Sequence, residues 1–215
     1  MAQSPIEVLS ALESVVSEYP YSRWATEAAR RMAEYAMMIG DYERAREALQ
    51  TAMARRPNSP DMPAMKMQSG DCLRELGRHG EAIEVYREAL NGETDPRRAF
   101  QAEQSIALCH VALKQYYLAT EQMDGILQRY ANRPELPPIY LTQGLCFEEL
   151  NDFAKAEARY GELLARFPQS LEAELARARK ADLASPLLKS APPALPPPGA
   201  PAFPAPWAPS GAAAP

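Results

Sequence analysis

The stretch LGRHGEAIEVYREAL, residues 76–90, recurs in altered form at a fixed interval along the chain. Shifting the sequence by thirty-seven residues aligns it with IGDYERAREALQTAM at 39–53, LKQYYLATEQMDGIL at 113–127 and LNDFAKAEARYGELL at 150–164. One aligned column contains only alanine, and the column four residues later contains large side chains. The two columns are Ala45, Ala82, Ala119, Ala156 and Leu49, Tyr86, Met123, Tyr160. Residues four apart share a helix face, so the pattern indicates helices that approach closely at the alanine.

The rest of the chain up to Ala184 also has helical character. It lacks the alternation of polar and apolar residues that marks strands, and it is rich in Ala, Leu, Glu, Arg and Met at helical spacing. Turn sequences such as IGDYE separate a first helix, A, from a second helix, B, and sequences such as RRPNSP follow helix B. Each unit is therefore predicted to be a helical hairpin, and the protein is predicted to be all-α.

The repeated columns resemble those of a known family. An alanine followed at the fourth residue by a large side chain, with a closing proline at Pro57 and Pro168, resembles the tetratricopeptide repeat. The period of thirty-seven is similar to that of bacterial envelope coordinators and outer-membrane assembly lipoproteins. The resemblance implies a right-handed superhelical solenoid of about four hairpins with a capping helix at each end.

The repeat domain is predicted to span residues 1–184. Ser4, Pro5 and Glu7 predict a capped first helix, and Ser170 predicts the start of a last helix with a charged outer face. The predicted units are 26–62, 63–99, 100–136 and 137–169, with flanking helices at 5–18 and 170–184.

Residues 185–215 form a separate, proline-rich segment. They contain eleven prolines and one charged residue, Lys189, a composition that predicts a disordered tail with extended polyproline character. Phe203 and Trp207 stand among these prolines as two candidate anchors for a partner or for the apolar half of the repeat domain. The alternative is a passive linker.

The three cysteines, Cys72, Cys109 and Cys146, follow the same interval of thirty-seven residues. Equivalent positions on stacked helices lie at least about 8–10 Å apart, which exceeds the Cα limit of about 7 Å for a disulfide. Cys109 and the adjacent His110 point in directions about 100° apart and do not converge on one metal ion. The cysteines are therefore predicted to be packed, reduced thiols, and no metal site is expected.

Charge and motif content narrow the possible functions. A net charge of −5 and a pI near 5.2 argue against nucleic-acid binding. His79 and His110 lack an evident acid or nucleophile partner, and no phosphate-binding glycine loop is present, so we expect neither an enzyme nor a cofactor. No apolar run is long enough to insert into a membrane, and no basic residue precedes Arg23, which predicts a cytoplasmic location. The alternative is a periplasmic protein whose upstream signal has been removed.

The resemblance implies a protein-binding groove lined by the A helices. The groove is predicted to be charged in its first half and apolar in its second, although Leu108 and Leu145 could equally be core residues. The predicted groove residues are Glu27, Arg30, Glu34, Met37, Met67, Asp71, Arg74, Gln104, Leu108, Val111, Leu141, Leu145 and Glu148.

These features favour a non-enzymatic adaptor that binds a peptide or helical segment of another protein within a larger assembly. Two alternatives stay open: a periplasmic coordinator of envelope assembly, and a cytosolic secretion-type chaperone that holds apolar segments of exported subunits. A heat-shock chaperone tail is excluded as the ligand, because Glu34 stands where the family binds a terminal carboxylate.

Overall fold

The computed structural model describes residues 5–184, apart from the side chains of Pro5 and Arg23. This part of the chain contains ten helices and no strand. The helices are α1 Pro5–Glu18, α2 Arg23–Met38, α3 Tyr42–Arg55, α4 Met62–Glu75, α5 His79–Leu90, α6 Pro96–Ala112, α7 Tyr116–Arg129, α8 Pro137–Glu149, α9 Phe153–Arg166 and α10 Leu171–Leu183. The predicted Ser4 cap and the tail with Phe203 and Trp207 lie outside the described residues.

The helices stack in chain order, each against the next. Helices α2, α4, α6 and α8 are the A helices of four hairpins, α3, α5, α7 and α9 are their B helices, and α1 and α10 flank the array. Contacts also join α4 to α6 and α8 to α10. Helices on the inside of a curved array approach one another most closely, so the A helices line the inner face. The predicted all-α solenoid with flanking helices is confirmed.

The turn inside each hairpin repeats the same backbone conformation. Its left-handed residue has φ between 57° and 78° and is one of Gly40, Gly77, Lys114 and Asn151. The next residue donates its backbone N–H to a carbonyl five residues back, as Arg78 does to Leu73 at 2.8 Å. This pairing satisfies the last carbonyls of helix A. A common turn therefore gives all four hairpins a similar geometry.

In two hairpins, helices A and B approach closely where a glycine contacts a tyrosine. A Cβ added to Gly70 would lie 2.6 Å from Cε1 of Tyr86, and one added to Gly144 would lie closer still to Tyr160. Both tyrosines are fully buried. At the same positions the other two hairpins have an alanine and a side chain smaller than tyrosine. These pairs are Ala33 with Leu49 and Ala107 with Met123.

The core runs along the array as three clusters of buried side chains. Cys72, Cys109 and Cys146 each lie in a different cluster, and all three are free and buried. The prediction of packed thiols is confirmed. Burial disfavours the thiolate and raises the pKa of each cysteine to about 11.

The last helix begins as predicted. The side chain of Ser170 accepts a hydrogen bond from the backbone N–H of Ala173 at 3.2 Å and caps α10. Residues on the far side of α10, including Arg177 and Ala181, are exposed. No helix among residues 5–184 combines the length and the apolar character that crossing a membrane requires.

The glycine–tyrosine contact predicts an unusual effect of a mild substitution. Gly70→Ala should lower the free energy of unfolding by about 2 kcal/mol, because overpacking of up to about 3 kcal/mol outweighs a gain of about 1 kcal/mol in helix propensity. Gly70→Ala combined with Tyr86→Leu, which copies the Ala33 and Leu49 pair, should recover part of the loss. Urea denaturation measures both variants. A stabilised single variant would show that the ring moves freely out of the way.

The turn residues predict a matched pair of opposite effects. Lys114→Gly should raise the free energy of unfolding by about 0.5–1 kcal/mol, because a side chain with a Cβ is strained in the left-handed conformation. Gly77→Ala should lower it by about 1 kcal/mol for the same reason. Thermal and urea unfolding measure both changes in the free energy of unfolding. If both substitutions changed it in the same direction, backbone strain at the left-handed residue would not explain the turn.

The buried thiols predict slow chemical labelling. With pKa values of about 11, only about one thiol in a thousand is ionised at pH 8, and each sulfur is also covered by protein. A maleimide or disulfide reagent should therefore label all three cysteines much more slowly in the native protein than in denaturant. Rapid native labelling of any one cysteine would disprove its burial.

Candidate functional site

The predicted groove residues lie on the A helices, along the inner face. Leu108 is exposed, and most of the others are half-buried, with one face in the protein and one in solvent. The half-buried set is Glu27, Arg30, Glu34, Met37, Asp71, Arg74, Gln104, Val111, Leu141, Leu145 and Glu148.

Met67 corrects the prediction. Its side chain is only 8% exposed and belongs to the core cluster that contains Ile83, Tyr86 and Ile106. The long, flexible methionine turns inward and fills space between helices instead of lining the groove. It is therefore not an accessible anchor for a ligand.

The first A helix presents a closed network of charges. The Arg30 guanidinium donates to both carboxylate oxygens of Glu27, at 3.0 and 3.1 Å, and to Glu34 at 2.5 Å. Arg31 donates to Glu27 at 2.9 Å. The hydrogen bond from Arg30 is the main reason that the pKa of Glu27 lies below its ordinary value. These charges are largely satisfied within the helix itself.

The second hairpin places a buried tyrosine under the inner face. The Tyr86 hydroxyl, carried by α5, donates to a carboxylate oxygen of Asp71 on α4 at 2.7 Å. Burial raises the pKa of Asp71, while the hydrogen bond from Tyr86 acts in the opposite direction. Burial and the nearby Asp71 carboxylate also raise the pKa of Tyr86. The pair therefore keeps the tyrosine proton in place and orients the carboxylate.

An apolar strip crosses the second half of the inner face. Leu108 on α6 is 38% exposed, and Leu141 and Leu145 on α8 are half-buried. The strip continues onto α10, where Leu175 is 48% exposed. Leu175 lies four repeat intervals after the groove residue Glu27, so the repeat extends the inner face onto the last helix. Three successive inner helices thus present leucine side chains to solvent.

A second buried tyrosine lies beside this strip. The Tyr160 hydroxyl, carried by α9, donates to Glu148 on α8 at 2.5 Å. Arg179 on α10 donates to both oxygens of the same carboxylate, with its Nε at 3.2 Å. The Glu148 side chain is only 12% exposed. It therefore ties α10 to the preceding hairpin and is not a freely solvated carboxylate.

The histidines lie away from this surface. His110 is 6% exposed, and its Nδ1 lies 2.8 Å from Oε1 of Gln115, so it is a buried residue with a polar partner. His79 begins α5 at the hairpin turn. Within residues 5–184 no three His, Cys, Asp or Glu side chains converge on a point where they could hold a metal ion. The chemistry available on the inner face is apolar contact, hydrogen bonding and ion pairing.

Two residues of this surface, Leu175 and Arg179, are absent from the predicted groove. Both belong to α10, which we predicted only as a capping helix. The repeat interval indicates that α10 shares the inner face. Arg179 lies nineteen residues after Tyr160, and Ser105 on the A helix α6 lies nineteen residues after Tyr86, so the two occupy equivalent positions in the repeat. The structure thus extends the candidate groove by one helix.

Family models and solved structures agree with this architecture. Models described as tetratricopeptide repeat match residues 30–99 and 139–170. A comparison with curated proteins finds no match.

Among solved structures, a tetratricopeptide repeat protein from Parabacteroides merdae has a TM-score of 0.63 and 23% identity, and the alignment covers 74% of this chain and 59% of that one. This chain therefore spans under two thirds of that protein. MamA from Desulfovibrio magneticus has a TM-score of 0.58 and 18% identity over 74% of this chain and 86% of its own.

A putative kinesin light chain from Podosopora anserina, with nearly identical repeats, has a TM-score of 0.60 and 16% identity over 81% of this chain and 88% of its own. At these identities the structural likeness establishes the fold alone. The two family-model matches and the repeating hairpin geometry show that the chain contains tetratricopeptide repeats, and the structural likeness shows that it has their fold.

Proposed function

We propose that the inner face binds a peptide or helical segment of another protein, and that the chain acts as a non-enzymatic adaptor in a multiprotein assembly. The observation that carries this proposal is the apolar strip of Leu108, Leu141, Leu145 and Leu175 on three successive A-type helices. Covering a half-exposed leucine contributes about 1 kcal/mol, so the four leucines together contribute about 4 kcal/mol to the binding free energy.

The paired charges towards the two ends of the inner face support a role in orienting the ligand. Arg30 is neutralised by Glu27 and Glu34, and Glu148 is held by Tyr160 and Arg179. Because these groups are already paired, they need little reorganisation when a ligand binds. The leucines would then supply most of the affinity, and the fixed charges at either end would select the direction and register of the bound segment.

The apolar strip predicts where binding is lost. We would select 12- to 15-residue binders from a displayed peptide library and measure their affinity by fluorescence anisotropy. Leu108→Glu and Leu145→Glu should each weaken binding about tenfold or more. Each change removes an apolar anchor worth about 1 kcal/mol and places a carboxylate that loses water in the contact, and a tenfold loss corresponds to about 1.4 kcal/mol. Circular dichroism would establish that both variants retain the helical fold.

Leu118→Glu is the matched control for this experiment. Leu118 is 43% exposed, close to the value for Leu108, but it lies on the B helix α7. Its substitution should leave the affinity unchanged. Selected peptides that bind equally well to Leu108→Glu and Leu145→Glu would overturn the assignment of the inner face as the binding surface.

A further inference from the structure

A second concave surface lies on the opposite side of the molecule, between the B helices α7 and α9. It is a groove of about 540 Å³. Its floor includes Phe147 of α8 and Leu150, the residue that follows this helix, and its walls include Tyr117 and Ala158. This volume lies within the range of about 300–1,000 Å³ that is typical of ligand pockets. The groove is separate from the inner face, which the A helices form.

The groove is held open by a polar bridge. Arg159 on α9 donates to Asp124 on α7 at 2.5 Å. Gln143, fully buried on α8 beneath the groove, donates to the same carboxylate oxygen and to the backbone carbonyl of Thr120, both at 2.9 Å. These contacts fix the spacing of the two B helices. A preformed groove of this kind accepts a ligand without prior rearrangement of its walls.

The groove combines apolar contact area with an excess of negative charge. Tyr117 is 53% exposed and Leu150 is 37% exposed. Four carboxylates line the groove, against the two bases Lys155 and Arg159. The carboxylates belong to Glu121, Asp124, Asp152 and Glu162. A suitable occupant is therefore largely apolar, carries aromatic groups and has either no charge or a small positive charge.

The chain itself supplies such a segment where α10 ends. Leu183, the last residue of α10, is buried in the same core cluster as Phe147, which forms part of the groove floor. The residues after α10 contain eleven prolines, Phe203 and Trp207, and their only side-chain charge is the positive Lys189. Their composition therefore matches the apolar floor and the acidic rim.

The lengths are also compatible. Trp207 follows Ala184 by twenty-three residues, which span up to about 70 Å as a polyproline helix. The groove wall α9 packs directly against α10, and packed helices lie only about 10 Å apart. Phe203 and Trp207 are about 12 Å apart in that conformation, and the groove wall from Tyr117 to Asp124 spans about 10 Å of helix. The segment can therefore reach the groove and place two aromatic side chains along it.

We propose that the segment 185–215 docks on its own chain, with Phe203 and Trp207 in the groove between α7 and α9. The proline-rich backbone loses less conformational entropy on docking than a flexible one would. The docked segment covers Tyr117 and Leu150 and leaves the leucines of the inner face accessible. This proposal is independent of ligand binding at the inner face, so either can fail without the other.

Trp207 is the reporter for the test. In the full chain with Trp24→Phe, we would measure the tryptophan emission maximum and the acrylamide quenching constant, in buffer and in denaturant. The difference between the unmodified chain and Trp207→Phe gives the same readout without changing Trp24. We expect emission from Trp207 at a shorter wavelength and quenching severalfold weaker in buffer than in denaturant, both independent of protein concentration.

A matched pair of alanine substitutions locates the contact. Ala158 and Ala165 are both exposed on α9, but only Ala158 lines the groove. Ala158→Arg should fill the groove and raise the quenching of Trp207 towards the denatured value, because the indole is displaced into water. Ala165→Arg should leave the quenching unchanged. Circular dichroism would establish that both variants keep the native helix content.

Several outcomes would overturn the proposal. A Trp207 that is as exposed in buffer as in denaturant shows that the segment does not dock. Shielding that survives Ala158→Arg places the contact elsewhere, and its loss in Leu145→Arg would identify the inner face. Shielding that disappears on dilution assigns the contact to a second copy of the chain.

Discussion

The close packing of a large B-helix residue on a small A-helix residue is the contact on which the array depends. Tyr86 lies over Gly70 and Tyr160 over Gly144, where even a Cβ would overlap the ring. Alanine takes the place of glycine where the partner is Leu49 or Met123. The sizes of the two residues vary inversely, so the pair occupies a similar total volume in each hairpin. A similar volume at this contact in every unit favours regular stacking of the hairpins.

The hairpin turn supplies the second constraint. A residue with positive φ lies two positions after the end of each of the four A helices, and the next residue donates a hydrogen bond back to the end of the helix. Glycine adopts this conformation readily, whereas Lys114 and Asn151 adopt it at some cost. The same turn geometry therefore persists where the sequence does not favour it. This persistence indicates that packing between the helices outweighs local backbone preference at these turns.

The same tyrosines connect the core to the inner face. Their rings are buried, and their hydroxyl groups emerge beneath the A helices to orient Asp71 and Glu148. Leu49 and Met123 have no hydroxyl group to offer. Charges on the first hairpin are paired along a single helix, and the third hairpin contributes the exposed Leu108. The two tyrosines that B helices pack into the core thus orient one carboxylate each on the second and fourth hairpins of the inner face.

The sequence alone was sufficient to determine the helical class, the period of thirty-seven residues, the flanking helices and the buried thiols. Each of these follows from periodicity along one chain, and periodicity survives in the sequence. The inner face was only partly predictable. Only the tertiary structure showed that Met67 turns into the core, that Arg179 reaches Glu148 from thirty-one residues away, and that α7 and α9 enclose a groove. These features depend on the direction of flexible side chains and on the spacing between helices that are not adjacent in sequence. Neither quantity is set until the hairpins have packed together.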